Sequence, residues 1–244
     1  MVNYKLTIEY DGRKFNGWQK QKATENTIQE QIENSLQKVL KKEIKLIGSG
    51  RTDAGVSAFN QVANFHYEGV FDKNKIKYSL NSILPAEITI RNIRTVKPEF
   101  HARFSAVKRQ YIYKICFEKK SVRADEFFKI NYVPDLVEIA KFTEFIKSQK
   151  NFRIFCKNKE DKHDFNCEIY EFDFRYSKLK KELIFKITAN RFLHSMVRAL
   201  IGCALEVGRG KIKLNEIKDK IKKGEKVRIH YLPANALFLN KIYY

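Results

Sequence analysis

The stretch Tyr4-Lys5-Leu6-Thr7-Ile8-Glu9-Tyr10-Asp11-Gly12 alternates apolar and polar residues without a break and stops at a turn dipeptide. A period of two puts Tyr4, Leu6, Ile8 and Tyr10 on one face and Lys5, Thr7 and Glu9 on the other, which predicts a half-buried strand. Asp11-Gly12 is the turn chemistry that ends it. Beyond the turn, Thr27-x-x-Glu30 has the form of a capping box, and Ile28, Ile32, Leu36, Val39 and Leu40 recur at helical spacing. A short strand (Ile44 to Ile47), a Gly-rich loop (Gly48 to Gly55) and a strand (Gln61 to Tyr67) follow. A helix over about Asp72 to Ile83 and a β-branched strand, Ile88 to Ile93, complete the first half.

The second half repeats the kind of pattern. Arg109 to Phe117 alternates as a strand, and Asp135-x-x-Glu138 opens a helix with Leu136, Ile139, Ala140 and Ile146 facing inward. Strands at Glu168 to Tyr176 and Leu183 to Ala189 precede a helix from about His194 to Val207. A Lys-rich helix (Leu214 to Lys222) and an apolar strand (Ala236 to Ile242) close the chain. Two runs of strand, helix, strands, helix predict an α+β protein of two similar sheet-and-helix lobes sharing a central mixed or antiparallel sheet. Residues 1–107 form the N-terminal lobe with the Gly-rich loop and residues 108–244 the C-terminal lobe, with the Lys-rich Glu118 to Asp125 as the linker.

Composition narrows the function. Of 244 residues, 48 are Lys or Arg and 28 Asp or Glu, a formal net charge of +20, which favours a polyanionic partner. Gly (10) and Pro (4) are too scarce for a collagen-like or Pro/Gly-rich disordered chain. No run of about 18 apolar residues supports a membrane span, and the N-terminus has no signal-peptide core, so the cytoplasm is the expected compartment. Cys116, Cys156, Cys167 and Cys203 form no Cys-x-x-Cys pair, which argues against zinc and against a disulfide framework.

Three segments carry possible chemistry. Gly48-Ser49-Gly50-Arg51-Thr52-Asp53-Ala54-Gly55-Val56-Ser57-Ala58 lets backbone approach a ligand closely, and Arg51 beside Asp53 favours an ionised carboxylate. Such a carboxylate serves as nucleophile or general base, or is only a surface turn residue; without a Gly-Lys-Ser/Thr ending the loop is not a Walker A loop. Phe100 to Tyr113 interleaves His101, Arg103, Lys108 and Arg109 with aromatics, which suits RNA, since cations meet phosphates while rings stack on splayed bases. A strand there puts Arg109, Tyr111 and Tyr113 on one face, for RNA or simply for core packing. In Ala189 to Arg198, Leu193, Val197, Leu200, Ile201 and Ala204 form an inward stripe, and Arg198 at its edge either snorkels or reaches into a cleft. His194 near the helix start contacts phosphate or caps.

Together these segments resemble the TruA-type tRNA pseudouridine synthase family. Gly50-Arg51-Thr52-Asp53-Ala54-Gly55-Val56, Phe100-His101-Ala102-Arg103-Phe104-Ser105-Ala106 and Phe192-Leu193-His194-Ser195-Met196-Val197-Arg198 carry the likeness. The opening Glu9-Tyr10-Asp11-Gly12 with Phe15 to Gln21, and Glu206-Val207-Gly208, extend it colinearly over the chain. The resemblance implies that Asp53 is the catalytic aspartate, that Arg51 organises the site and helps displace the base, that Tyr111 stacks on the uracil and that Arg198 pairs with the aspartate. Arg51, Tyr111, Arg103, Arg109 and His194 are the expected substrate contacts. It further implies conversion of uridine to pseudouridine in the tRNA anticodon arm at positions 38, 39 and 40, no metal, no organic cofactor, and a homodimer whose tRNA touches both subunits.

This chain departs from the family pattern at Ser57, where His is frequent, at Asn166-Cys167-Glu168, and at Ala236, where Gly is usual. Two other readings compete. A non-catalytic tRNA-binding or chaperone protein fits the charge and aromatics but has no use for a carboxylate facing phosphates. A carboxylate-metal nuclease needs several acidic ligands, and Ile44 to His66 offers only Asp53.

Overall fold

A computed structural model describes residues 1–157, 164–225 and 230–244. The chain divides into two compact units, Met1–Arg109 with Phe238–Tyr244, and Gln110–Leu237. Both are mixed α/β bodies. The Lys-rich stretch from Glu118 to Asp125 lies inside the second unit, while the last strand returns to the first.

In the first unit β1 (Val2–Tyr10) is followed by α1 (Ile28–Leu40), β2 (Ile47–Gly48), β3 (Ser57–Tyr67), α2 (Lys73–Ile83) and β4 (Ile88–Val96). β1 lies between β4 and β3, antiparallel to both, with Leu6 opposite Ala63 and Ile93. The C-terminal strand Leu237–Tyr243 runs parallel to β3, pairing Ser57 with Phe238 and Ala58 with Leu239. The alternation read from the sequence is the observed one: Tyr4, Leu6, Ile8 and Tyr10 are buried, as are Ile28, Ile32, Leu36 and Leu40 of α1. On the opposite face Asn3 is also buried, because its amide donates to the carbonyls of Lys97, Pro98 and Phe100.

Local details differ from expectation for physical reasons. Thr27 caps α1, its hydroxyl accepting from the Glu30 amide, but Glu30 does not complete a capping box. Its carboxylate pairs with Lys20 at 3.0 Å, and the Thr27 amide donates to the Glu25 carbonyl instead. The strand expected at Ile44 to Ile47 is only Ile47–Gly48; Ile44 and Leu46 are buried without pairing as strand. β3 begins at Ser57 rather than Gln61, so its first residues lead directly out of the Gly-rich loop.

The second unit contains β5 (Lys108–Cys116), β6 (Phe128–Lys129), α3 (Leu136–Lys147), β7 (Ile169–Ser177), β8 (Glu182–Ala189), α4 (Met196–Gly208) and α5 (Leu214–Lys223), with β9 now labelling Leu237–Tyr243. β8 lies between β5 and β7, antiparallel to β7, and β6 adds to β5 in parallel. α3 presents Ile139, Phe142, Thr143 and Ile146 inward; Ala140 is exposed and Leu136 half-buried, because Phe142 holds the centre of that face against Phe172. α4 is buried at every position except Arg198 and Glu206, so the expected stripe is an almost complete circumference. A helix apolar on all sides belongs in the middle of a core. It starts at Met196, after Ser195, and His194 precedes its cap.

Among the described residues no helix is long and apolar enough to cross a membrane. All four cysteines are buried thiols outside any disulfide. Burial pushes the Cys203 thiol up to about 12. At pH 8 only about one Cys203 side chain in ten thousand is then thiolate, the reactive form. Cys203 is therefore expected to resist Ellman's reagent in the native protein at pH 8 and to react in guanidinium, with labelling mapped by peptide mass spectrometry. Native labelling at a free-thiol rate would contradict its burial.

Candidate active site

The Gly-rich loop in the first unit is held from both sides by backbone. The Ser49 amide donates to the Val62 carbonyl at 2.8 Å, its hydroxyl to Gln61 at 2.6 Å, and the Gln61 amide returns to the Gly50 carbonyl at 3.1 Å. On the far side the Trp18 amide donates to the Thr52 carbonyl at 3.2 Å, and the Thr52 hydroxyl pairs with the Tyr10 hydroxyl at 2.8 Å. The Val56 amide closes a turn on the Asp53 carbonyl at 3.1 Å. Thr52 and Val56 are buried, leaving Asp53 half-buried between them and Arg51 exposed.

Two glycines outside the loop make this approach possible. A Cβ on Gly12 would sit 2.0 Å from the Val56 carbonyl oxygen, so any side chain there displaces the loop. Gly17 has φ +93°, and a Cβ on it would lie 2.8 Å from the Thr52 carbonyl oxygen. The segment Asp11 to Trp18 thus carries the loop rather than merely preceding it. Burial pushes the Tyr10 phenol upward, so it stays a neutral partner for Thr52.

Ser57 is accounted for by the same packing. It is buried, accepts from the Gly12 amide at 3.0 Å, and donates to Asp11 at 3.4 Å. The Arg13 guanidinium on Asp11 holds that carboxyl below the usual carboxylate range. Ala236 is buried, its carbonyl accepting from the Lys114 amide at 3.0 Å. The Asn166 to Glu168 departure is anchored by the Cys167 amide on the Lys150 carbonyl, and by the Glu168 amide on Asn190. Residues 158–163 of that region lie outside the described residues.

The sequence-derived site residues fall as follows. Arg51 extends from the loop, its Nε donating to Gln19 at 3.2 Å. Arg109 is half-buried, and its guanidinium donates to three backbone carbonyls: Ser49 at 3.1 Å, Arg103 at 2.8 Å and Ala106 at 3.0 Å. It ties the Gly-rich loop to the segment bearing Arg103, whose own side chain is exposed. In the second unit Tyr111 is half-buried, edge-on to Phe192 with centroids 5.3 Å apart. Tyr113, which alternation puts on the same face for RNA or for core packing, takes the packing role: it is fully buried and donates to the Pro233 carbonyl at 3.0 Å. On the other face of β5 Gln110 is also buried, its side-chain amide donating to the Thr188 hydroxyl at 3.0 Å. Arg198 Nε donates to the Leu232 carbonyl at 2.5 Å, and its charge opposes the upward push of burial on Tyr113. His194 is half-buried, its carbonyl accepting from the Lys157 amide at 3.2 Å.

Sequence reasoning passed over Tyr10, Trp18 and Gln61 as supports of the loop. The available signals were the position of Tyr10 at the inward end of the first alternation and the single Trp of the chain. Among the described residues no group of three or more His, Cys, Asp or Glu side chains is placed to hold a metal ion.

The family model described as tRNA pseudouridine synthase matches residues 6–105 and 149–244. The chain belongs to that family. The matched ranges contain Arg51, Asp53, Arg103, His194 and Arg198, while Arg109 and Tyr111 lie between them. Relatives match end to end. The tRNA pseudouridine synthase A of Thermodesulfovibrio yellowstonii is 36% identical over 100% of both chains. That of a Hydrogenobaculum species is 37% identical, again over 100% of both. The tRNA pseudouridine synthase A 2 of Bacillus cereus is 34% identical over 99% of each.

The Arg109 geometry yields a prediction. Arg109→Lys keeps the charge but cannot span three acceptors, so turnover of tRNA is expected to fall about tenfold or more, with affinity within about threefold. Filter binding beside single-turnover rates checks it. Weakened binding at an unchanged rate would make Arg109 a phosphate contact instead.

Proposed function

We propose that this tRNA uridine isomerase acts in the anticodon arm, at positions 38, 39 and 40, with Asp53 as its catalytic carboxylate. The observation that carries the reading is the loop itself. Asp53 stands half-buried on a segment whose neighbours Thr52 and Val56 are buried and bonded, so its carboxylate is presented on a rigid support. Preorganisation of this kind lets a reacting group act without first paying to be ordered.

The isomerisation breaks the N1–C1′ bond, turns the uracil and makes a C5–C1′ bond; C5 loses its proton to solvent and N1 gains one. A carboxylate assists by attacking C1′ or by removing a sugar proton in a glycal route, and either role suits an ionised aspartate. The target base must leave its stack, which takes a few kcal/mol and a group for the vacated space. Arg51, exposed beside Asp53, has the reach for that, and Tyr111 offers a ring for the extruded uracil. For Tyr111, Arg198 and His194 the support is the family resemblance together with their half-buried positions in their own unit. The net charge of +20 supplies the phosphate contacts. Substrate in the cytoplasm, a homodimer binding one tRNA across both subunits, and chemistry without metal or organic cofactor complete the reading.

Tritium at uridine C5 reports the reaction directly, because bond formation at C5 releases it. With EDTA present, the wild type is expected to release tritium from tRNA. Asp53→Ala and Asp53→Asn are expected to release none while binding tRNA within a few-fold of wild type. Activity in both variants would remove Asp53 from the chemistry, and tight binding without release by the wild type would favour a binding-only protein. Arg198→Ala is expected to slow release at similar affinity; a pure loss of affinity would leave it a phosphate contact.

A further inference from the structure

Of the nineteen phenylalanines, all of them among the described residues, Phe104 alone is exposed, at 77%. Burying a Phe side chain is worth about 1.5–3 kcal/mol, so holding one in water needs a backbone that prevents it from folding down. The turn from His101 to Ser105 is such a backbone. His101 Nδ1 accepts from the Arg103 and Phe104 amides, both at 3.2 Å. The Ser105 amide donates to the His101 carbonyl at 2.9 Å, and the Ser105 hydroxyl accepts from the His101 amide at 3.1 Å. Buried Ala102 anchors the base, its amide on Asn64 at 2.8 Å and its carbonyl on the Tyr244 hydroxyl at 2.9 Å.

The exposed ring is backed and flanked by groups that suit a nucleotide. One face lies against the His101 imidazole, 4.4 Å between centroids and tilted by 32°. The Arg103 guanidinium carbon is 5.5 Å from the ring centre. A flat ring held in solvent beside a cation matches the pairing of stacked base and phosphate used for single-stranded or splayed nucleotides. Glu99 is exposed nearby in the chain and is the one acidic residue between Lys97 and Arg109.

We infer that the His101–Ser105 turn is a nucleotide-contact element in which Phe104 stacks on an unpaired or splayed base of the tRNA while Arg103 meets an adjacent phosphate. The inference rests on the tRNA reading above and adds a stacking residue to it. The turn is also mechanically joined to the loop bearing Asp53, because Arg109 donates to both the Arg103 and the Ser49 carbonyls. A base seated on Phe104 is thereby registered against that loop, so this contact contributes to which uridine is presented.

The test uses the full chain and a tRNA transcript at fixed salt, with folding checked by circular dichroism. Phe104→Ala is expected to weaken tRNA binding roughly five- to fiftyfold with the salt slope unchanged, and Phe104→Trp to restore it to within about threefold. Arg103→Ala is expected to reduce the salt slope by about one. Binding by Phe104→Ala within twofold of wild type overturns the proposal, as does equal loss in the Ala and Trp variants. A change in sedimentation with unchanged RNA affinity also overturns it, and makes the turn a protein contact. If the wild type releases no tritium yet Phe104→Ala still loses affinity, the isomerase reading fails and the stacking contact stands.

Discussion

The first unit depends on one close approach. The backbone at Gly12 lies so near the Val56 carbonyl that no side chain fits between them, and Gly17 repeats the arrangement against Thr52. Those contacts let the segment after β1 press on the Gly-rich loop from one side, while Gln61 and Ser49 hold it from the β3 side. A loop gripped by backbone on both flanks has few conformations to lose when it acts. That is how a short polar stretch, ordinarily mobile, comes to present a carboxylate at a fixed place.

Arg109 extends the same logic. A guanidinium has five donors in a planar fork, and here three backbone carbonyls use it, from the loop and from the segment before β5. Basic residues near aromatics in a sequence look alike as RNA contacts. Their donors separate them: Arg109 spends its own on the protein's backbone, whereas Arg103 is exposed beside the Phe104 ring. The charge of a residue is visible in the chain, and its engagement is not.

The second unit solves a different problem. α4 is buried nearly all round, and its one arginine, half-buried, donates from Nε to the Leu232 carbonyl. A charged group in such a helix is tolerated where a hydrogen bond satisfies it, and its position is correspondingly narrow. Tyr113 is buried in the interior of the same unit, so of the two roles that the alternation of β5 left open, RNA contact or core packing, it takes packing.

The elements themselves were legible in the chain. The alternation of Tyr4 to Tyr10, the Thr27 cap, the Asp135 cap and the stripe of α4 are local patterns, and local patterns report local dihedrals and one buried face. The Arg51–Asp53 loop, read with the colinear segments around it, also pointed to the family. What the chain left open were relations between distant residues. Ser57 against Asp11, Glu30 turning to Lys20 instead of back to its own cap, Ala140 outward on α3, and Arg109 bridging Ser49 to Arg103 are choices among partners far apart in sequence. The sequence by itself determined which segments become strand and helix and which residue types gather near Asp53. Only the tertiary structure decided which donor meets which acceptor, because those pairings are selected by packing and desolvation once the elements close on one another.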